Sequence, residues 1–126
     1  MTVSQALEKL SAYEKLMFTY NHASGLMYYD GATVAPRGSA DLRADTLGEL
    51  ARLSYALTTA PETVEMLRTL VEARDRLDPV TARKVSELWR DYEMTHRVPE
   101  EEFVAYQQLT SKADAVWHEA KERSDF

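Results

Sequence analysis

Apolar side chains recur at spacings of three and four along nearly the whole chain, and that period limits the fold more than any other feature. Val3, Leu7, Leu10, Tyr13, Met17 and Tyr20 form the first stripe, with Ala6 beside it and Leu16 widening it. Thr2 and Gln5 stand before it at capping-box spacing. The pattern predicts a helix over about 3–24, with Leu26, Met27 and Tyr28 extending it past Gly25. Asp30-Gly31 and Ala35-Pro36-Arg37-Gly38 then mark an irregular stretch, about 30–39.

Ser39 is placed to cap a second helix near 40–58, with Asp41 in its first turn complementing the dipole. Its expected buried stripe is Leu42, Leu47, Leu50, Leu53 and Leu57. Thr59-Ala60-Pro61-Glu62 reads as a stop and restart, with Thr59 and Glu62 at capping-box spacing. Val64, Leu67, Leu70 and Val71 mark a short helix near 61–75. Asp78-Pro79 repeats the device and opens a helix over about 79–96 that buries Val85, Leu88, Trp89 and Tyr92. Val98-Pro99 breaks the chain again. A last helix, about 99–123, carries Phe103, Tyr106, Leu109, Ala113, Val116, Trp117 and Ala120, and Trp117 is expected in the core. No segment reads as a strand. The expected fold is all-α: about five helices in antiparallel hairpins, bundle-like, with no visible boundary over 1–126.

Composition excludes several classes. With 0 Cys there is neither a disulfide framework nor a thiolate metal site. Fifteen Lys+Arg against 21 Asp+Glu leave a net charge of −6, which disfavours a nucleic-acid partner. No apolar run is long enough to span a bilayer, and the N-terminal residues lack a secretory pattern. A cytoplasmic location is therefore expected, with no membrane partner.

The histidines do not complete a metal motif. His118-Glu119 begins as a zincin helix would, but the position four after His118 is Glu122. Glu93 and His96 have the spacing of a di-iron half-site, yet no second pair accompanies them. A bundle site from Glu93, His96 and His118 is the metal-binding alternative. There is no Cys nucleophile, nucleophile elbow or phosphate-cradling Gly loop. The residues by themselves define no active site.

The segment Leu26-Met27-Tyr28-Tyr29-Asp30-Gly31-Ala32-Thr33-Val34-Ala35-Pro36-Arg37-Gly38-Ser39-Ala40-Asp41-Leu42-Arg43 resembles the N-terminal signature of the carboxypeptidase Taq family. That signature has an aromatic-Asp pair, then Thr, a Met-Pro-Gly segment and an Arg on the next helix. Tyr29, Asp30, Thr33, Pro36, Gly38 and Arg43 occupy the matching places. Leu47 to Leu57, Thr59-Ala60-Pro61-Glu62, Arg90-Asp91-Tyr92-Glu93 and Val98-Pro99-Glu100-Glu101 resemble successive later features. Trp117, Asp125 and Phe126 match its Trp-x-x-Ala-(Arg/Lys)…Asp-Phe helix end. Tyr29 stands for the family's Trp, Gly31 for its Gln and Ala35 for its Met, and Thr46 or Leu47 for the Gln that often follows its Arg.

The resemblance implies metallocarboxypeptidases that release C-terminal amino acids using zinc or another divalent metal. Their H-E-x-x-H ligands and general-base Glu lie beyond the position matching Phe126. The resemblance thus implies the N-terminal region of such an enzyme, with no catalytic or metal residue of its own and no activity alone. The alternative is a stand-alone helical interaction module derived from the family. The nine family-motif residues are expected to be structural. Asp30 would cap a turn and Arg43 would pair with a carboxylate, the rival being that both line or brace the cleft. The expected partner is the missing C-terminal catalytic region, or a second copy in a homodimer.

Overall fold

The computed structural model describes residues 1–125 and contains five α-helices and, among the described residues, no strand. These are α1 (Val3–Thr33), α2 (Ala40–Thr59), α3 (Pro61–Glu72), α4 (Pro79–Thr95) and α5 (Glu100–Glu122). Short 3₁₀ turns at Arg37–Ser39 and Arg74–Arg76 follow α1 and α3. The all-α expectation is met, and no helix is long and apolar enough to cross a membrane.

Two predicted helix starts form as expected. The Thr2 amide donates to Gln5 Oε1 at 2.9 Å and the Gln5 amide donates to Thr2 Oγ1 at 3.2 Å. Asp78 Oδ1 accepts from the Val80 and Thr81 amides, both at 3.1 Å. Pro79 follows at the first helical position, where its missing N–H costs nothing.

Other local expectations need correction. Helix α1 continues through Gly25 and Gly31 to Thr33, so the irregular stretch shrinks to residues 34–36 and a 3₁₀ turn. The helix stops because Ala35 precedes Pro36, whose ring disfavours helical backbone one residue earlier. Ser39 does not act as a simple cap: its hydroxyl donates to the Pro36 carbonyl at 2.6 Å. Nor does Thr59 form a capping box, because its hydroxyl donates back to the Tyr55 carbonyl at 2.8 Å. Ala60 opens α3 with extended backbone and no side-chain bond.

The chain gathers into two compact units, each made of two sequence segments. The first comprises Met1–Thr19 and Ser54–Pro99; the second comprises Tyr20–Leu53 and Glu100–Phe126. The passages between units fall within α1 and α2 and at the α4–α5 turn, so no flexible linker marks them in the sequence.

The first unit holds the main apolar core. Ala6, Leu10 and Tyr13 of α1 meet Met66, Leu67 and Leu70 of α3 and Val85 of α4. Leu57, Leu88, Trp89 and Tyr92 pack around this cluster. Trp89 and Tyr92 lie 5.3 Å apart in a tilted arrangement. Ion pairs decorate the rim: Lys84 with Glu14 at 2.7 Å, the N-terminal amine with Glu65 at 3.2 Å, and Lys9 with Glu62. These exposed pairs contribute little beside the buried leucines.

In the second unit, α2 and α5 approach closely at Gly48. A Cβ there would stand 2.7 Å from Gln108 Nε2 and 2.8 Å from its Cγ, so any larger residue would have to displace the Gln108 side chain. Ala44, Leu47, Val104 and Ser111 are buried in this unit. Arg52 Nη1 meets Glu100 Oε1 at 2.7 Å, and Lys112 Nζ lies 3.8 Å from Asp41 Oδ1. The expected leucine stripe of α2 is only partly buried: Leu47 is buried, whereas Leu42 and Leu53 are exposed.

Candidate functional site

The motif residues Tyr29 to Arg43 converge on the turn between α1 and α2. The end of α1 is closed by carbonyls rather than side chains. Asp30 O accepts from the Val34 amide at 3.1 Å and from the Ala35 amide at 2.9 Å. Thr33 Oγ1 donates to Tyr29 O at 2.6 Å, which holds the last turn together. The Ser39 amide reaches Pro36 O at 3.0 Å and closes the 3₁₀ turn that contains Gly38.

Arg43 reaches back over this turn. Its Nη1 donates to Ser39 Oγ at 3.1 Å, and its Nε and Cζ occupy the space a Cβ on Gly31 would need. The partner of Arg43 is thus a hydroxyl and not the expected carboxylate. The reason is local: Ser39 sits one turn before Arg43 on the same side of the helix. The turn at Asp30 is closed by its backbone carbonyl, not by the carboxylate expected to cap it.

Leu26, Met27 and Asp30 from α1 and Ser39, Leu42, Arg43 and Thr46 from the next segment line a cavity of about 360 Å³. Its wall is mainly apolar, and Asp30 and Arg43 are the charged residues among its lining. Such a cavity can accept an apolar side chain and orient a polar group beside it. Tyr29 is exposed on the same turn.

The remaining motif residues lie elsewhere in this unit. Trp117 is 53% exposed on α5, which overturns its expected place in the core. Its ring meets neighbours on its own helix, edge-on to His118 at 5.0 Å and beneath Lys121 Nζ at 5.0 Å. Val104 and Ser111 carry the buried face of α5, and Trp117 projects from the other side. Beyond α5, the Asp125 amide donates to Ala120 O at 2.9 Å and the Ser124 amide donates to Lys121 O at 3.2 Å. Ser124 takes the left-handed conformation there (φ 53°), a role usually given to Gly. Phe126 lies outside the described residues.

The donor sets tested from the sequence do not assemble. No group of three His, Asp or Glu side chains among the described residues lies close enough together to hold a metal ion. His96 Nδ1 is 3.0 Å from Tyr92 O and its ring stacks on Tyr92, while His118 Nε2 is 3.7 Å from Asp114 Oδ2. These residues therefore do not fit the zinc site that the family resemblance implies for the intact enzyme.

Among the described residues the chain is an all-α scaffold with a cavity beside the α1–α2 turn. The chain belongs to the carboxypeptidase Taq (M32) metallopeptidase family, whose model matches residues 9–126. It is 33% identical to carboxypeptidase 1 of Bacillus subtilis over 94% of this chain and 25% of that protein. It is 28% identical to thermostable carboxypeptidase 1 of Thermus thermophilus, over 100% of this chain and 25% of that one. The BsuCP crystal structure superposes with a TM-score of 0.88 at 31% identity, covering 98% of this chain and 24% of that structure. The chain spans about a quarter of the length of these relatives, and the match falls on their N-terminal part.

Proposed function

We propose that this chain forms a helical wall of the substrate cleft in a carboxypeptidase Taq-like enzyme and braces the catalytic part. The intact enzyme releases C-terminal amino acids by metal-assisted hydrolysis, with the metal supplying Lewis-acid chemistry. The observation that carries this reading is the TM-score of 0.88 over 98% of the chain, combined with a sequence that contains no H-E-x-x-H. The turn from Tyr29 to Arg43 is a rigid corner of that wall, and Asp30 and Arg43 support it. A cytoplasmic location belongs to this reading and fits a sequence with 0 Cys.

The test is direct. Purified chain, assayed with added zinc or cobalt against C-terminally blocked and free peptides, gives no carboxypeptidase turnover. Metal-dependent release of C-terminal residues above background refutes the proposal. A second reading, a stand-alone interaction module that self-associates, draws on the exposed apolar side chains of α5. The gene separates the two: a reading frame running on into H-E-x-x-H supports the first, and a stop codon after Phe126 supports the second.

A further inference from the structure

The apolar residues of the second unit are poorly covered. It buries only Ala44, Leu47 and Val104 among its described apolar residues, whereas the first unit fully buries Met66, Leu67, Leu70 and Val85. The clearest case is α5. Its buried residues, Val104 and Ser111, stand two turns apart on one face. At 100° per residue, Tyr106, Leu109, Val116 and Trp117 fall on the opposite face, with Ala113 between them. Tyr106 and Leu109 are each 64% exposed and Val116 is 67% exposed. Single exposed apolar residues are ordinary, but an aligned stripe of four large ones marks an interaction surface.

We infer that this α5 stripe is the seat of an apolar surface from the remaining three quarters of a carboxypeptidase Taq-type chain; the inference rests on the proposed function. Two observations select that occupant. The chain reproduces its counterpart in a protein about four times as long with a TM-score of 0.88, so α5 holds the same position in a polypeptide with ample further surface. The stripe is also small. Four side chains at this exposure present on the order of 500 Å², short of the ~800 Å² per partner of a stable protein–protein interface. A separate second copy must also overcome the entropy of association, which covalently continuous polypeptide does not.

The test places this whole chain in Bacillus subtilis carboxypeptidase 1 in exchange for its matched N-terminal quarter. Leu109→Ser with Val116→Ser lowers the unfolding midpoint of the hybrid by several degrees and shortens its active lifetime on heating several-fold. The same pair leaves the midpoint of the 126-residue chain unchanged. A hybrid indifferent to the pair overturns the inference, and its activity would still uphold the proposed function. A folded but inactive hybrid sinks the proposed function instead. Should the hybrid not fold, serine at the aligned positions of intact Bacillus subtilis carboxypeptidase 1 gives the same loss, and no loss there overturns the inference. Sedimentation of this chain as a dimer that the pair dissociates assigns the stripe to a second copy and overturns it as well.

Discussion

Arg43 and Gly31 share one volume. A Cβ built on Gly31 would stand 2.6 Å from Arg43 Nε and 2.8 Å from Cζ, so the arginine lies where any other residue would put its side chain. With no side chain at Gly31, the guanidinium has room beside α1 while its Nη1 donates to Ser39 Oγ at 3.1 Å.

This packing predicts a strong coupling. Gly31→Ala gains about 1 kcal/mol of helix propensity but displaces Arg43 from Ser39, so its net effect on stability is close to zero. In an Arg43→Ala background the displacement vanishes, and the same Gly31→Ala change stabilises by about 1 kcal/mol. Chemical denaturation of the four proteins of the cycle measures this. Equal effects of Gly31→Ala in both backgrounds would show that the two side-chain volumes do not compete.

The core of the first unit and the tryptophan of the second respond oppositely to truncation. Leu70 is fully buried, so Leu70→Ala costs about 2–5 kcal/mol. Trp117→Ala changes the stability of the chain by roughly 0.5 kcal/mol or less, since most of the indole is already in water. Midpoints in urea at unchanged slope distinguish them, and a Trp117→Ala loss comparable to that of Leu70→Ala contradicts the exposed placement.

Asp78 sets an acid limit on α4. The Thr81 side chain and the amides of Thr81 and Val80 hold its carboxyl below the usual carboxylate range. Because the folded value is depressed, its stabilisation is complete above the ordinary carboxylate pKa and is lost as pH falls through the lower, folded value. Asp78→Asn keeps a capping side chain without the titration. Thermal unfolding across the acid range loses that part of its slope in Asp78→Asn; identical acid limbs in both proteins would assign the slope to other carboxylates.

Tyr13 sets an alkaline limit. Burial raises its phenol above the usual tyrosine value; a hydrogen bond with Thr58 opposes this, and Asp91 adds to it. The hydroxyl lies 3.5 Å from Thr58 Oγ1 inside the core. A raised folded value means the contribution is complete below the unfolded pKa, about 10, and is lost as pH rises through the folded one. Tyr13→Phe costs about 1 kcal/mol at neutral pH and flattens the alkaline limb. An unchanged alkaline limb in the phenylalanine variant rules out this titration.

The sequence by itself determined the helices, because their signals are local. A 3.6-residue period, the Thr2–Gln5 box and the Asp78-Pro79 cap each act within a turn or two of chain, and each forms as its spacing requires. It also carried the family resemblance in the order Tyr29, Asp30, Thr33, Pro36, Gly38 and Arg43, with Trp117 following near the end. Tertiary structure decided which faces are covered. The apolar stripe of α5 marks a face that can be buried, but burial needs a neighbour, and Gln108 lies close on α2 because Gly48 has no side chain there, while Val104 and Ser111 are the buried residues of α5. Likewise α1 runs through Gly25 and Gly31, and Arg43 fills the space the second glycine leaves. A glycine's local penalty of about 1 kcal/mol is readable from sequence, whereas the side chain that offsets it arrives from another helix.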